Sequence, residues 1–224
     1  MKFYRDVSAG FLTKSNSVLL LLVIFTIFLI PFFPIEWHRI LYSICFTLIF
    51  LLSALALTKY RSGIFNIAVL VILIEWLSEL LDLSVLNTIS LAVNIFFFDL
   101  IVVLFILQIA SAKTVTARVI MESINGYLML GLSISILIAL ISIADPNAFN
   151  FPHLTSDADI TVSYFSNDTY YGFVTLTTLG YGDMIPLTPA ARSFSIFIAI
   201  TGQMYVAIII ATLVSKYLGQ KSSN

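Results

Sequence analysis

Six apolar runs dominate the chain, at residues 18–33, 40–58, 64–83, 89–110, 123–144 and 191–217, with short polar stretches between them. Each approaches the ~20 residues an α-helix needs to cross a hydrocarbon layer ~30 Å thick. Helices that are apolar all round have no face to turn to water, so a soluble domain cannot accommodate this many of them. Composition agrees: 60% of the 224 residues are hydrophobic and 10% are charged, against roughly 25% charged in an ordinary soluble domain. The expected fold class is an all-α membrane protein with six transmembrane helices. The first run is long for a signal-peptide core and ends at Pro31 and Pro34 without a small-residue cleavage site, so it reads as a retained span.

Several function classes drop out at this stage. A net charge of -1 offers no basic surface to nucleic acid. Cys45 is the single cysteine and lies inside an apolar run, where it is expected only to pack. His38 and His153 fall in expected loops without metal-ligand spacing, and both read as solvated. The positive charges also set an orientation. Lys2, Arg5, Lys14, Lys59, Arg61, Lys113, Arg118, Lys216 and Lys221 share one side of a six-span topology, leaving Arg39 and Arg192 on the other. Both termini are therefore expected in the cytoplasm.

Between the fifth and sixth runs stands Thr177-Thr178-Leu179-Gly180-Tyr181-Gly182-Asp183. Residues 168–177 before it are too short to span. They suit a re-entrant helix started by Asp168 and Thr169, and Pro186 and Pro189 end the loop behind the motif. Non-helical backbone survives at membrane depth only where it lines a water or ion path, because an unsatisfied carbonyl there costs roughly 2–7 kcal/mol. Consecutive carbonyls aimed at one axis can replace the water around a cation. Aiming them so forces alternate residues into left-handed conformations, which glycine reaches without a steric penalty; this accounts for the spacing of Gly180 and Gly182. Leu179 and Tyr181 then turn outward.

This motif resembles the selectivity filter of tetrameric potassium channels. Residues 123–217 resemble the pore of that family in their order of outer helix, pore helix, filter and inner helix. The resemblance implies K+ held at Thr178, Leu179, Gly180 and Tyr181, with the Thr178 hydroxyl adding oxygens at the inner end. Gly182 completes the filter, and Thr177, Val174 and Asp183 flank it. One chain supplies one filter strand, so a homotetramer in the lipid bilayer is expected. Gly202 lies twenty residues beyond Gly182, where the family places a gating hinge; the plainer role is a glycine that lets a neighbour approach. Gln203 beside it is a candidate for the cavity wall. Val174 stands where some members carry a glutamate that pairs with the aspartate after the filter. Asp183 is therefore expected to turn to the hydroxyl of Tyr170 or Tyr171. Gly131, Ser135 and Ala139, and likewise Ala207, Ala211 and Ser215, form small-residue stripes suited to close helix approach.

The domains expected are a cytoplasmic N-terminus at 1–17, a four-helix membrane domain at 18–110, a linker at 111–122, the pore at 123–217 and a tail at 218–224. The four leading spans hold the position of a voltage sensor, but the fourth contains no lysine or arginine, which excludes steep gating by that route. Glu75, Glu79 and Asp82 share a helical face, and Asp99 lies near the middle of the fourth span; Glu75 and Asp99 are the candidates for a modulatory role. In the external loop, Asp145, Asp157, Asp159, Asp168 and Asp183 would concentrate cations at a pore mouth. Asn167-Asp168-Thr169 matches a glycosylation sequon set against the pore helix. The expected function is passive, potassium-selective conduction in the cell membrane, with no catalysis, no cofactor and no nucleotide-binding domain on the chain. A less selective cation channel would alter Tyr181, and a pore-loop transporter subunit would need several different filter copies.

Overall fold

A computed structural model describes residues 15–57, 61–80, 84–112, 114–151 and 160–222. Every extended element among them is helical: α1 (Ser15–Phe32), α2 (Ile35–Ala56), α3 (Arg61–Leu80), α4 (Ser84–Ser111), α5 (Ala117–Ala144), α6 (Ile160–Leu176) and α7 (Pro189–Ser222). One isolated antiparallel bridge joins Phe149 to Pro186. Five of these helices, α1, α2, α4, α5 and α7, contain stretches long and apolar enough to cross a membrane. In α3 the apolar stretch is the shorter Ser62–Ile74. The described residues are thus all-helical, and the chain is a multi-pass membrane protein.

The helices outrun the apolar segments that mark them. Polar residues at the helix ends continue the backbone hydrogen-bond ladder even though they break the hydropathy pattern. The expected linker at 111–122 shrinks accordingly: α4 runs to Ser111 and α5 begins at Ala117, so Arg118 and Glu122 are helical. The helix before the motif is also longer than expected. It starts at Ile160, so Asp168 and Thr169 are buried residues of its interior and do not start it.

The described residues fall into two compact units. One holds the chain up to Phe28 together with Ile40–Gly126. Here α1 is α-helical from Ser15, then widens to a π turn over Phe25–Leu29 and tightens to a 3-10 turn over Ile30–Phe32. Pro31 lacks the N–H that would continue the ladder, which explains the change of pitch. Phe46 and Phe50 of α2 meet Phe98 and Phe97 of α4, with ring centroids at 6.4 and 5.5 Å. A polar knot ties the start of α1 to α4 and α5. Glu122, almost wholly buried, accepts hydrogen bonds from Asn16 Nδ2 at 3.0 Å, Arg118 Nε at 2.8 Å and Gln108 Nε2 at 3.5 Å. Asn125 Nδ2 donates to the Asn16 carbonyl at 2.9 Å. Burying a carboxylate is tolerable only with such donors around it.

The other unit holds Leu29–Arg39 and the chain from Tyr127 onward. In it His38 is buried, correcting the solvated reading. α2 begins at Ile35, which puts His38 in its first turn, where Nε2 donates to the Phe33 carbonyl at 2.9 Å. His153 lies outside the described residues. The core of this unit joins α5, α6 and α7 through Ile134, Ile138, Tyr171, Leu176 and Ile198, with Phe149 and Phe151 stacked on each other and packed against Tyr171. α6 is seated on α5 by small residues. A Cβ on Gly131 would lie 2.2 Å from the Phe173 ring, and one on Gly172 would lie 3.1 Å from Ser135 Oγ. Gly131 and Ser135 of the small-residue stripe thus receive α6.

Candidate functional site

The backbone leaving α6 does not simply unwind. Thr177 N–H still donates to the Phe173 carbonyl at 2.9 Å, and Thr178 N–H donates to Thr175 at 2.9 Å. The Val174 carbonyl then takes the N–H groups of both Leu179, at 3.0 Å, and Gly180, at 3.4 Å. Val174 therefore serves the loop through its main chain. Thr177 Oγ1 donates to the Phe173 carbonyl at 2.7 Å and closes the helix end from the side.

Beyond this anchor every second residue is left-handed: φ is 58° at Thr178, 57° at Gly180 and 80° at Gly182. Alternating the hand of successive residues turns successive peptide planes to the same side. The two glycines adopt such values freely. Thr178 is β-branched and does not, so it carries strain of about 1–3 kcal/mol. Among the described residues, no donor reaches the carbonyls of Thr178, Leu179, Gly180 or Tyr181. Four successive acceptors are left open on one short strand, while the side chains of Leu179 and Tyr181 are 56% and 67% exposed.

The far end of the strand is tied down on two sides. Tyr170 Oη donates to Asp183 Oδ2 at 2.7 Å, so of the two candidate tyrosines it is Tyr170 that answers Asp183. This bond pushes the Tyr170 phenol up to about 12 and holds the Asp183 carboxyl below its usual range. Tyr171 instead faces Ser195 of α7, with their hydroxyls 2.5 Å apart. Asn150 supplies the second tie. Its Oδ1 accepts from Ile185 N–H at 2.5 Å and its Nδ2 donates to the Asp183 carbonyl at 3.4 Å, beside the backbone pairing of Leu187 N–H with the Ala148 carbonyl at 2.7 Å. A lone Asn far upstream carries no spacing signal, so Asn150 is not recognisable from the sequence.

After the loop, α7 runs unbroken from Pro189 to Ser222 through Gly202. A Cβ on Gly202 would lie 1.9 Å from the Leu176 carbonyl oxygen, so the glycine permits the two backbones to touch. Gln203, next along, is exposed and its Nε2 donates to Thr178 Oγ1 at 3.0 Å. The small residues Ala207, Ala211 and Ser215 lie further along the same helix.

Other expected residues sit apart from this strand. Asp168 is buried on α6, with Ser142 Oγ donating to it at 3.4 Å; desolvation pushes its carboxyl up to about 7 against the smaller opposing effect of that bond. The sequon at Asn167 is inside a helix with Asp168 and Thr169 buried. Asp145 caps a turn through Asn147 N–H at 3.1 Å. Asp99 is half-buried on α4. Glu75 lies on α3, but its side chain, like that of Glu79, is outside the described residues, as are Asp82, Asp157 and Asp159. No group of three or more His, Cys, Asp or Glu able to hold a metal occurs among the described residues.

Residues 136–218 match a protein-family model described as an ion channel. A two pore potassium channel c from Oryza sativa subsp. japonica is 47% identical over 49 residues, 22% of this chain and 11% of that protein. An A-type voltage-gated potassium channel from Rattus norvegicus is 40% identical over 48 residues, 21% of this chain and 7% of that protein. The match thus spans about a tenth or less of these curated relatives. No solved structure matches the chain.

Proposed function

We propose, on the premise that residues 136–218 are a pore module of the pore-loop potassium-channel family, that four copies of the chain surround one axis and pass K+ down its gradient. The observation that carries this reading is the strand of open carbonyls. Thr178, Leu179, Gly180 and Tyr181 each leave an acceptor free, and the alternating hand at Thr178, Gly180 and Gly182 turns those acceptors to one side. One strand cannot surround an ion; four can replace its water on every side. Exposed Leu179 and Tyr181 then pack behind the strand against neighbouring copies, as apolar and aromatic surface of that size requires.

The remaining parts take roles in this assembly. α6 is a re-entrant pore helix, and its carbonyl end carries about half a negative charge that favours a cation in the cavity beneath the strand. A strand of five residues covers only about half of the hydrocarbon thickness, so α7 lines the rest. Both termini face the cytoplasm and Asp183 faces outside.

The test is a potassium flux assay in lipid vesicles containing the purified chain, paired with the mass of the detergent-solubilised assembly. The reading predicts K+ uptake and the mass of four chains, with uptake lost in Gly180→Ala because the added Cβ opposes φ 57°. Uptake that survives this substitution overturns it.

A further inference from the structure

Gln203 has no part in the function so far described, yet its amide reaches the innermost residue of the strand. Gly202 brings α7 into contact with the backbone at Leu176, two positions before Thr178. From that seat Gln203 Nε2 donates to Thr178 Oγ1 at 3.0 Å, and Thr178 Oγ1 itself donates to the Thr177 carbonyl at 2.7 Å. A hydroxyl has one proton and two lone pairs. Here the proton goes to Thr177 and one lone pair to Gln203, leaving one for anything else. The amide N–H also turns the positive end of its dipole toward the place where a cation would bind.

We infer that Gln203 competes with the permeant cation for the Thr178 hydroxyl and so weakens the cation site at the inner end of the strand. The inference rests on the channel reading above. Its functional consequence is a shallower inner well, from which an ion leaves more readily toward the cavity; conduction requires sites that bind but also release. Gln203 is thus a positioning residue, acting on the ion through the hydroxyl it occupies. Because it is exposed on α7, its replacement leaves the packing of α7 on α6 intact.

The probe is Ba2+, a divalent ion of nearly potassium's size, applied from the inner face of channels in planar bilayers while K+ current is recorded. Two variants separate the hydrogen bond from mere polarity. Gln203→Met keeps the length and loses the donor, whereas Gln203→Asn keeps the amide and loses the reach. Freeing one hydroxyl is worth about one net hydrogen bond, so each variant should tighten internal Ba2+ block roughly fivefold or more, with K+ over Na+ selectivity unchanged. Unchanged or weaker block in Gln203→Met overturns the inference. Tighter block in Gln203→Met but not in Gln203→Asn also overturns it, because the amide would then act without Thr178. Absence of K+ current in the unmodified protein would instead refute the channel reading itself.

Discussion

Replacing Gly202 by alanine distinguishes the two roles open to this residue. Were Gly202 a free bending point on an otherwise unencumbered helix, alanine would favour the helix by about 0.8–1.0 kcal/mol and stabilise the protein. The structure predicts the opposite sign. The new Cβ would sit 1.9 Å from the Leu176 carbonyl oxygen and 2.9 Å from its carbon, against the 3.4 Å at which ordinary contact begins. An overlap of about 1.5 Å with a backbone atom cannot be relieved by rotating a side chain. Either α7 moves outward or the end of α6 moves, and that end carries the anchor for Thr178 and Leu179. Overpacking of this kind costs about 1–3 kcal/mol. The assay is thermal unfolding of the purified assembly in constant K+, followed by conduction in bilayers. A loss of stability with disturbed conduction is expected. Gly202→Ala with equal or higher stability would show that the contact with Leu176 does not constrain α7.

Other perturbations follow from the same contacts. Gly131→Ala also meets an atom far too close, at 2.2 Å, but that atom is the end of the Phe173 ring, which can tilt; its thermal destabilisation should be smaller than that of Gly202→Ala. Tyr170→Phe removes the donor to Asp183, so K+ currents recorded at low external K+ should decay faster than those of the unmodified protein, as the outer end of the strand loses one of its two ties. That bond is present above the ordinary carboxylate range and is lost as pH falls through the depressed Asp183 value, so the difference between the two proteins should vanish in strong acid. Asp168 is the reverse case: its folded value near 7 lies above the unfolded 3.8, so its burial is free below pH 3.8, becomes costly as pH rises toward 7 and is fully unfavourable above it. Asp168→Asn should therefore raise stability at pH 8, by an upper bound of about 4 kcal/mol, and far less at pH 4, as read by unfolding at the two pH values.

The residues show which kinds of information the sequence carries. Apolar runs locate the helices, because burial in hydrocarbon is decided residue by residue. They understate helix length, because Arg118 and Glu122 are polar yet continue the ladder. The pairing of Glu122 with Asn16, 106 residues away, has no local trace. In the strand that follows α6, Gly180 and Gly182 announce their left-handed backbone by lacking a Cβ. Thr178 adopts the same backbone while looking like an ordinary threonine, since the backbone bonds to Thr175 and Val174 on either side of it hold it there. Asp168 and Thr169 resemble a helix start because their side chains suit one; the structure uses them as buried interior residues instead. The turn of Asp183 to a tyrosine was legible because Val174 leaves it no acidic partner. Choosing Tyr170 over Tyr171 needed the helix phase, which sends Tyr171 toward Ser195.

The central proposal is that the backbone from Thr178 to Tyr181 replaces the water around K+ better than that around Na+. The most direct measurement is the reversal potential of the purified protein in a bilayer with K+ on one side and an equal concentration of Na+ on the other. The account predicts a reversal displaced far toward the K+ equilibrium potential, with the displacement lost in Gly180→Ala. A reversal near zero in the unmodified protein, with current flowing, would contradict it.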